Sequence, residues 1–179
     1  IKEIIKRINS QSDIDKEIIV VDDYSVDKTR EILENELKEK VQKIILNNRN
    51  YGKGYSIRKG IENSNGDYIL IQDADLEYDP SDYKKLLKPV TDGVAEVVYG
   101  SRFLGSSERR VLYFWHTVGN KFLTIFSNML SNLNLTDMEV GYKLFKSNLL
   151  KEIDLKEDRF GFEPEITAKI AKKNIRIYE

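Results

Sequence analysis

The chain has 179 residues, 40% of them hydrophobic and 33% charged, with 3 prolines and no cysteine. This composition excludes disordered, fibrous and disulfide-stapled classes, and the length is enough to close one core. The 29 Lys and Arg against 30 Asp and Glu leave a net charge of −1, which excludes the broad positive field of a duplex-binding protein and implies no nucleic-acid partner.

No stretch approaches the roughly 18 consecutive apolar residues of a membrane span, and residues 1–8 lack the build of a secretory signal. Ile1, Ile4, Ile5 and Ile8 recur at helical spacing. The chain opens inside this pattern rather than on a Met, and it stops beside a strand-like run at Ile177 and Tyr178. It is therefore expected to be a fragment shortened at both ends.

Residues 18–21 form a β-branched run of the buried-strand type, closed by Asp22 and Asp23. Ser25 or Asp27 is placed to cap a helix over 29–40, and a second strand follows over 43–46. An Asn- and Gly-rich loop, 47–54, leads to a helix through Ile57 and Ile61 that ends at the turn pair Asn65-Gly66. A third strand runs from 68 to 72. Asp79-Pro80 starts a helix with Leu86 and Leu87 inward, and residues 96–99 make another strand. Helices alternating with strands predict an α/β fold, Rossmann-like, with a mostly parallel sheet covered on both faces.

Beyond Gly100 the pattern changes to a long apolar helix over 113–130, a short strand over 142–145, a helix over 164–172 and a closing strand. Without a linker or repeat, residues 1–179 read as one domain. Phe114, Val118, Phe122, Ile125, Phe126 and Met129 follow helical spacing, so most of that stripe is expected to pack into the core.

Ligands of open α/β sheets bind at the carboxyl ends of the strands, so acidic residues there are candidates for chemistry. Asp22-Asp23 and Asp73-Ala74-Asp75 both follow buried-type strands, with Gln72 and Glu77 flanking the second pair. Two carboxylates one residue apart on an exit segment can hold Mg²⁺ or Mn²⁺, with water and a nucleoside diphosphate completing the shell. A phosphatase with a nucleophilic Asp is a competing reading, disfavoured because its motif follows the first strand and is trailed by Thr or Val rather than Leu76. The 50–54 loop, Asn50-Tyr-Gly52-Lys53-Gly54, precedes a helix and can cradle phosphate, although it is neither a Gly-Lys-Ser/Thr loop nor a three-glycine fingerprint.

Taken as an ordered set, residues 17–29 (EIIVVDDYSVDKT), 47–54 (NNRNYGKG), 66–75 (GDYILIQDAD) and 99–103 (YGSRF) resemble the family 2 inverting glycosyltransferases of GT-A fold, and within them the dolichyl- or polyprenyl-phosphate sugar synthases. The resemblance implies a hexose transferred from GDP-mannose or UDP-glucose to a polyprenyl phosphate at the cytoplasmic face of a membrane. It implies nucleotide contacts from Asp22, Asp23, Asn50, Gly52, Lys53, Gly54, Asp73 and Ala74, metal ligation by Asp73 and Asp75, and a phosphate contact from Arg102. Asp137 matches a position facing the acceptor, as base or orienting carboxylate, and Glu163 matches the start of an acceptor-side helix. The division implied is a nucleotide-sugar part over 1–99 and an acceptor part over 100–179.

This chain departs from the family pattern at two glycines of the first acidic turn, which are Tyr24 and Lys28 here. Family members also begin with a strand that lines the nucleotide pocket and would precede residue 1. Between Gly100 and Lys151, seven Lys and Arg stand against three Asp and Glu, a basic and aromatic segment suited to a membrane surface and a lipid phosphate. Arg109, Arg110 and the only histidine, His116, are its candidate acceptor contacts. The alternatives are a family 2 transferase acting on a saccharide hydroxyl in polysaccharide synthesis, or a non-catalytic nucleotide-sugar-binding module.

Overall fold

The computed structural model describes residues 1–104 and 113–179. Helix α1 (Lys2–Asn9) buries Ile4 and Ile5, as its spacing predicts. Strand β1 (Ile19–Asp22) is followed by α2 (Thr29–Ile32), which continues as a π-helical turn through Leu37, and then by β2 (Lys43–Leu46). Asp27 accepts the Thr29 amide at 2.9 Å and so starts α2. The next elements are α3 (Lys53–Glu62), β3 (Tyr68–Ile71), α4 (Tyr83–Thr91) and β4 (Val97–Tyr99). Asp79 accepts the Ser81 amide at 2.9 Å ahead of α4, with Pro80 at the first position of the turn. The chain closes with α5 (Phe114–Ser131), β5 (Lys143–Lys146), α6 (Ser147–Lys151), α7 (Phe162–Lys172) and β6 (Ile177–Tyr178).

The α/β class holds. Strands β1 and β2 pair in parallel, in the register Ile19 to Lys43, as a βαβ unit should. The second sheet has the order β3-β5-β4-β6, with β4 and β6 parallel. Strand β5 is inserted antiparallel to both β3 and β4, so β3, β4 and β6 share one direction. Because β5 follows the loop at Asp137–Gly141, that loop is delivered to the carboxyl ends of its two neighbours.

Strands β1 and β3 are bridged at their amino ends, where the Glu17 carboxylate accepts the Gly66 amide at 2.9 Å. Their facing edges flank a cleft of about 740 Å³, lined by residues such as Val21, Ile57, Ile61, Leu70 and Leu86. Among the described residues no strand pairs with either facing edge. The core divides accordingly into a small cluster around Leu33 and Leu37 and a larger one around Phe145, Ile166 and Ile170.

The expectation for the long helix is overturned. Of α5 only Thr124 is buried, while Trp115 is 77% exposed, Phe122 67% and Met129 75%. The inward side carries Thr117, Asn120, Thr124, Ser127, Asn128 and Ser131 instead. The physical reason is hydrogen bonding: Thr124 accepts the Met138 amide at 3.1 Å, and the Asn128 amide group pairs with both the N–H and the C=O of Leu135. These polar side chains satisfy the backbone of the loop leading to Asp137, and the apolar stripe is left facing out.

Candidate functional site

Asp22 ends β1 almost fully buried. Its Oδ2 accepts Arg30 Nε at 2.7 Å and the Ser25 amide at 3.1 Å. Burial works against its ionisation, but those bonds outweigh burial and hold the carboxyl below its ordinary range. The turn that follows keeps a left-handed residue without a glycine: Tyr24 has φ +67°, and its ring lies under the Arg30 guanidinium at 4.8 Å. Lys28, at the other substituted glycine, has φ −71° and needs no glycine.

Asp23 organises the glycine loop. Its Oδ1 accepts Asn47 Nδ2 at 2.8 Å and the Tyr51 amide at 2.9 Å, and its Oδ2 accepts the Gly52 amide at 2.7 Å. Gly52 has φ +108°, and a Cβ there would lie 2.4 Å from the Asp158 carbonyl oxygen, so only glycine fits. Asn50 is exposed, with Nδ2 3.5 Å from the Asp23 carbonyl, and Gly54 is buried in the first turn of α3.

From the start of α3 the Lys53 ammonium reaches both oxygens of Asp73, at 3.0 Å each, and Glu163 Oε1 at 2.9 Å. Burial depresses the Lys53 pKa, but Glu163 and Asp73 outweigh it and raise it overall. Glu163 comes from α7 and is 3% exposed, with Oε2 buried and without a hydrogen-bond partner. Gly141 lies against Asp73, where a Cβ would lie 2.6 Å from Oδ2. The Gly141 amide donates to Tyr78 Oη at 2.8 Å.

Arg102, just beyond β4, grips Asp137 with two side-chain bonds, Nε to Oδ2 at 2.7 Å and Nη2 to Oδ1 at 2.8 Å; its backbone N–H adds a third at 3.1 Å. Asp137 is fully buried, and its hydrogen bond raises the Arg102 pKa further. Glu77 stands 3.8 Å from the same guanidinium. Glu179 accepts the Thr136 amide at 2.8 Å and the Asp137 amide at 2.9 Å from the end of β6. Sequence reasoning missed Glu179, Tyr78 and Gly141, because their roles depend on contacts 40 to 70 residues away in the chain.

The remaining candidates are Gln72, Ala74, Asp75, His116, Arg109 and Arg110. Gln72 accepts the Tyr83 hydroxyl, and its Nε2 is buried without a partner. Ala74 is exposed, and so is Asp75, which accepts the Glu77 amide at 3.0 Å. His116 is exposed on α5 beside Tyr113, at 6.1 Å between ring centres. Arg109 and Arg110 lie outside the described residues. The basic segment is also less basic at its surface than its composition implies: Arg102 is paired, and Lys143 is 1% exposed, donating to the Val140 carbonyl. Burial pushes the Lys143 pKa down to about 8.

Among the described residues no three His, Cys, Asp or Glu side chains converge as a complete metal cage. Asp73 and Asp75 nevertheless supply hard carboxylate oxygens at an accessible strand end. That is the partial set suited to Mg²⁺ or Mn²⁺ when phosphate and water provide the remaining oxygens.

The fold is an α/β one with carboxylates gathered at its strand ends, and the comparisons identify the family. The model of Glycosyl transferase family 2 matches residues 1–154, and the chain belongs to that family. It is 28% identical over 160 residues to Glycosyltransferase AglJ of Haloferax volcanii, covering 89% of this chain and 50% of AglJ. It is 31% identical over 163 residues to the low-salt glycan biosynthesis hexosyltransferase Agl6 of the same organism, covering 90% of this chain and 38% of Agl6. The chain thus spans half or less of the length of these two relatives.

The mannosyltransferase PcManGT of Pyrobaculum calidifontis, solved with GDP-Man and Mn²⁺, superposes with a TM-score of 0.66 at 20% identity, over 99% of this chain and 50% of that one. Glucosyl-3-phosphoglycerate synthase of Mycobacterium tuberculosis, solved with Mn²⁺ and UDP, gives a TM-score of 0.68 at 18% identity, over 98% and 63% of the two chains. At such identities the likeness establishes the GT-A fold.

Proposed function

We propose that this glycosyltransferase moves a hexose from a nucleoside-diphosphate sugar, GDP-mannose or UDP-glucose, to a polyprenyl phosphate at a membrane surface, with inversion and with a divalent cation. The observation that carries the acceptor assignment is α5. It presents an exposed face of Phe114, Trp115, Phe122, Ile125, Phe126 and Met129, its 18 residues include no Asp or Glu, and it is tied through Thr124 and Asn128 to the loop that bears Asp137. No helix among the described residues is long and apolar enough to cross a membrane, so such a face suits docking in the interface plane.

In this reading residues 1–99 hold the donor and residues 100–179 the acceptor. Asp22, with Arg30, forms the wall for base and ribose. Asp23 shapes the glycine loop so that its backbone and Lys53 approach the diphosphate. Asp73 and Asp75 are the residues that would hold Mg²⁺ or Mn²⁺, which when bound neutralises the leaving diphosphate. A further strand lining the nucleotide pocket is supported by the facing edges of β1 and β3, which pair with no strand among the described residues.

Asp137 has both oxygens committed to Arg102, so it acts by orienting the guanidinium toward a phosphate rather than as a base. A phosphate acceptor is anionic already and asks mainly for positioning and charge neutralisation. A second reading is favoured by Glu139, whose half-buried carboxyl is pushed up by burial and by Glu163; that suits a general base for a saccharide hydroxyl.

The deciding experiment offers radiolabelled GDP-mannose and UDP-glucose, each with polyprenyl phosphate and Mn²⁺, to the complete gene product. Label entering the organic phase and released by mild acid supports the lipid-phosphate acceptor. Acid-stable label confined to the water phase when saccharides are added supports the hydroxyl reading. Binding of nucleotide without transfer to either acceptor leaves a binding module.

A further inference from the structure

Asp73 meets a cation in this structure, and that cation is the ammonium of Lys53. Lys53 Nζ lies 3.0 Å from each Asp73 oxygen and 2.9 Å from Glu163 Oε1. A divalent ion on the same carboxylate would face a like charge at contact range, and in a partly buried site that repulsion is large. One of the two has to give way. Asp73 cannot back away toward Gly141, where even a Cβ would lie 2.6 Å from Oδ2. Lys53 stands on a flexible stem of four methylenes, and Glu163, the acceptor behind it, keeps Oε2 buried without a partner.

Resting on the reading that Asp73 holds the divalent cation, we propose that Lys53 is an exchangeable counter-cation. It neutralises Asp73 while the metal is absent, competes with the metal for that carboxylate, and on exchange is retained by Glu163, whose open Oε2 takes the bond that Asp73 gives up. The released ammonium then remains beside the glycine loop, ready to face the donor diphosphate. Metal and donor binding are coupled in this way: the ion draws Lys53 off Asp73, and the diphosphate rewards the move by offering Lys53 a new anion.

The test is Mn²⁺ binding at pH 7.5, read from the free-ion electron paramagnetic resonance signal, without and with UDP or GDP. It compares the wild-type protein with Lys53→Met, Lys53→Arg and Asp75→Asn. Without nucleotide, Lys53→Met is expected to bind Mn²⁺ about ten-fold tighter or more, since it removes a competing charge from contact range. Lys53→Arg, which keeps the charge, should stay near wild type. With nucleotide, Lys53→Met should lose most of the coupling, so that UDP or GDP improves its Mn²⁺ affinity less than in wild type.

Equal or weaker Mn²⁺ binding by Lys53→Met without nucleotide overturns the proposal. Lys53→Gln keeps a hydrogen-bond donor for Glu163 and serves as the second variant if Lys53→Met does not fold; the same tightening is required of it. Failure of the underlying metal reading has a separate signature: wild type takes up no Mn²⁺, or Asp75→Asn takes it up as well as wild type does.

Discussion

Arg102 and Asp137, 35 residues apart, are joined by two parallel side-chain bonds of 2.7 and 2.8 Å with the carboxylate fully buried. Bidentate charge-assisted pairs of this kind fix orientation as well as energy. Removing one partner of a buried pair costs about 3–5 kcal/mol, because the other charge is left unpaired. Asp137→Asn is therefore expected to lower the unfolding free energy by roughly 3 kcal/mol and to abolish measurable transfer. The double variant Arg102→Met/Asp137→Asn should be more stable than Asp137→Asn alone. Urea titrations of wild type, both single variants and the double variant check this, and additive losses would sink the idea that the pair acts as a unit.

Gly141 tests the wall behind Asp73. Its missing Cβ leaves room that Asp73 Oδ2 and Tyr78 occupy, at 2.6 and 2.8 Å from where a methyl would sit. Gly141→Ala is expected to cost about 1–3 kcal/mol from overpacking and to weaken Mn²⁺ or nucleotide binding at the displaced carboxylate. Isothermal titration with UDP and Mn²⁺ beside a thermal melt separates the two effects. Wild-type binding with an unchanged melting temperature would show that the contact is not tight.

Tyr24 adopts φ +67°, a conformation that costs a residue with a Cβ on the order of 1–2 kcal/mol. Its stack under Arg30 offsets part of that, at about 0.5–1 kcal/mol for an exposed cation–π contact. Tyr24→Ala loses the stack and keeps the strain, whereas Tyr24→Gly loses both. The glycine variant is expected to be the more stable of the two by about 1 kcal/mol. Equal stability of the two variants would deny the strain.

Lys143 gives a pH dependence of defined sign. Its pKa is about 8 when folded, against 10.5 for the free side chain. Between those values the unfolded chain binds the extra proton, so this group makes stability rise with pH. Below about pH 8 it is protonated in both states and the cost of burying the ammonium is present in full; the cost is relieved as pH climbs from 8 toward 10.5. The stability of Lys143→Met minus that of wild type is then expected to shrink by about 3 kcal/mol across that window. Denaturant titrations at pH 7.5 and 10.5 measure it, and a constant difference would contradict the burial.

Much of the site was legible in the chain because its signals are local. A β-branched run closed by acids placed Asp22 and Asp73 at strand ends, Asp79 was recognisable as a helix starter and Ser25 and Asp27 as the two candidates for another, and the glycine spacing marked the loop that Asp23 later folds around. Helical periodicity also told correctly which residues of α5 share a face. It did not tell which way that face points, since Thr124 and Asn128 recur at the same spacing and the backbone they bind is supplied by a loop that sequence alone does not locate.

The remaining decisions are tertiary for the same reason. Whether Lys143 is a surface charge or a buried one depends on β5 being inserted antiparallel between β3 and β4. Asp73 meets Lys53 because the start of α3 and the end of β3 converge, and Asp137 meets Arg102 because β5 and β4 are neighbours. Residue types and their local order determined which groups stand at the strand ends. Only the long-range pairing of strands decided which charge faces which, because electrostatic and hydrogen-bond energies depend on distances in space that local spacing does not contain.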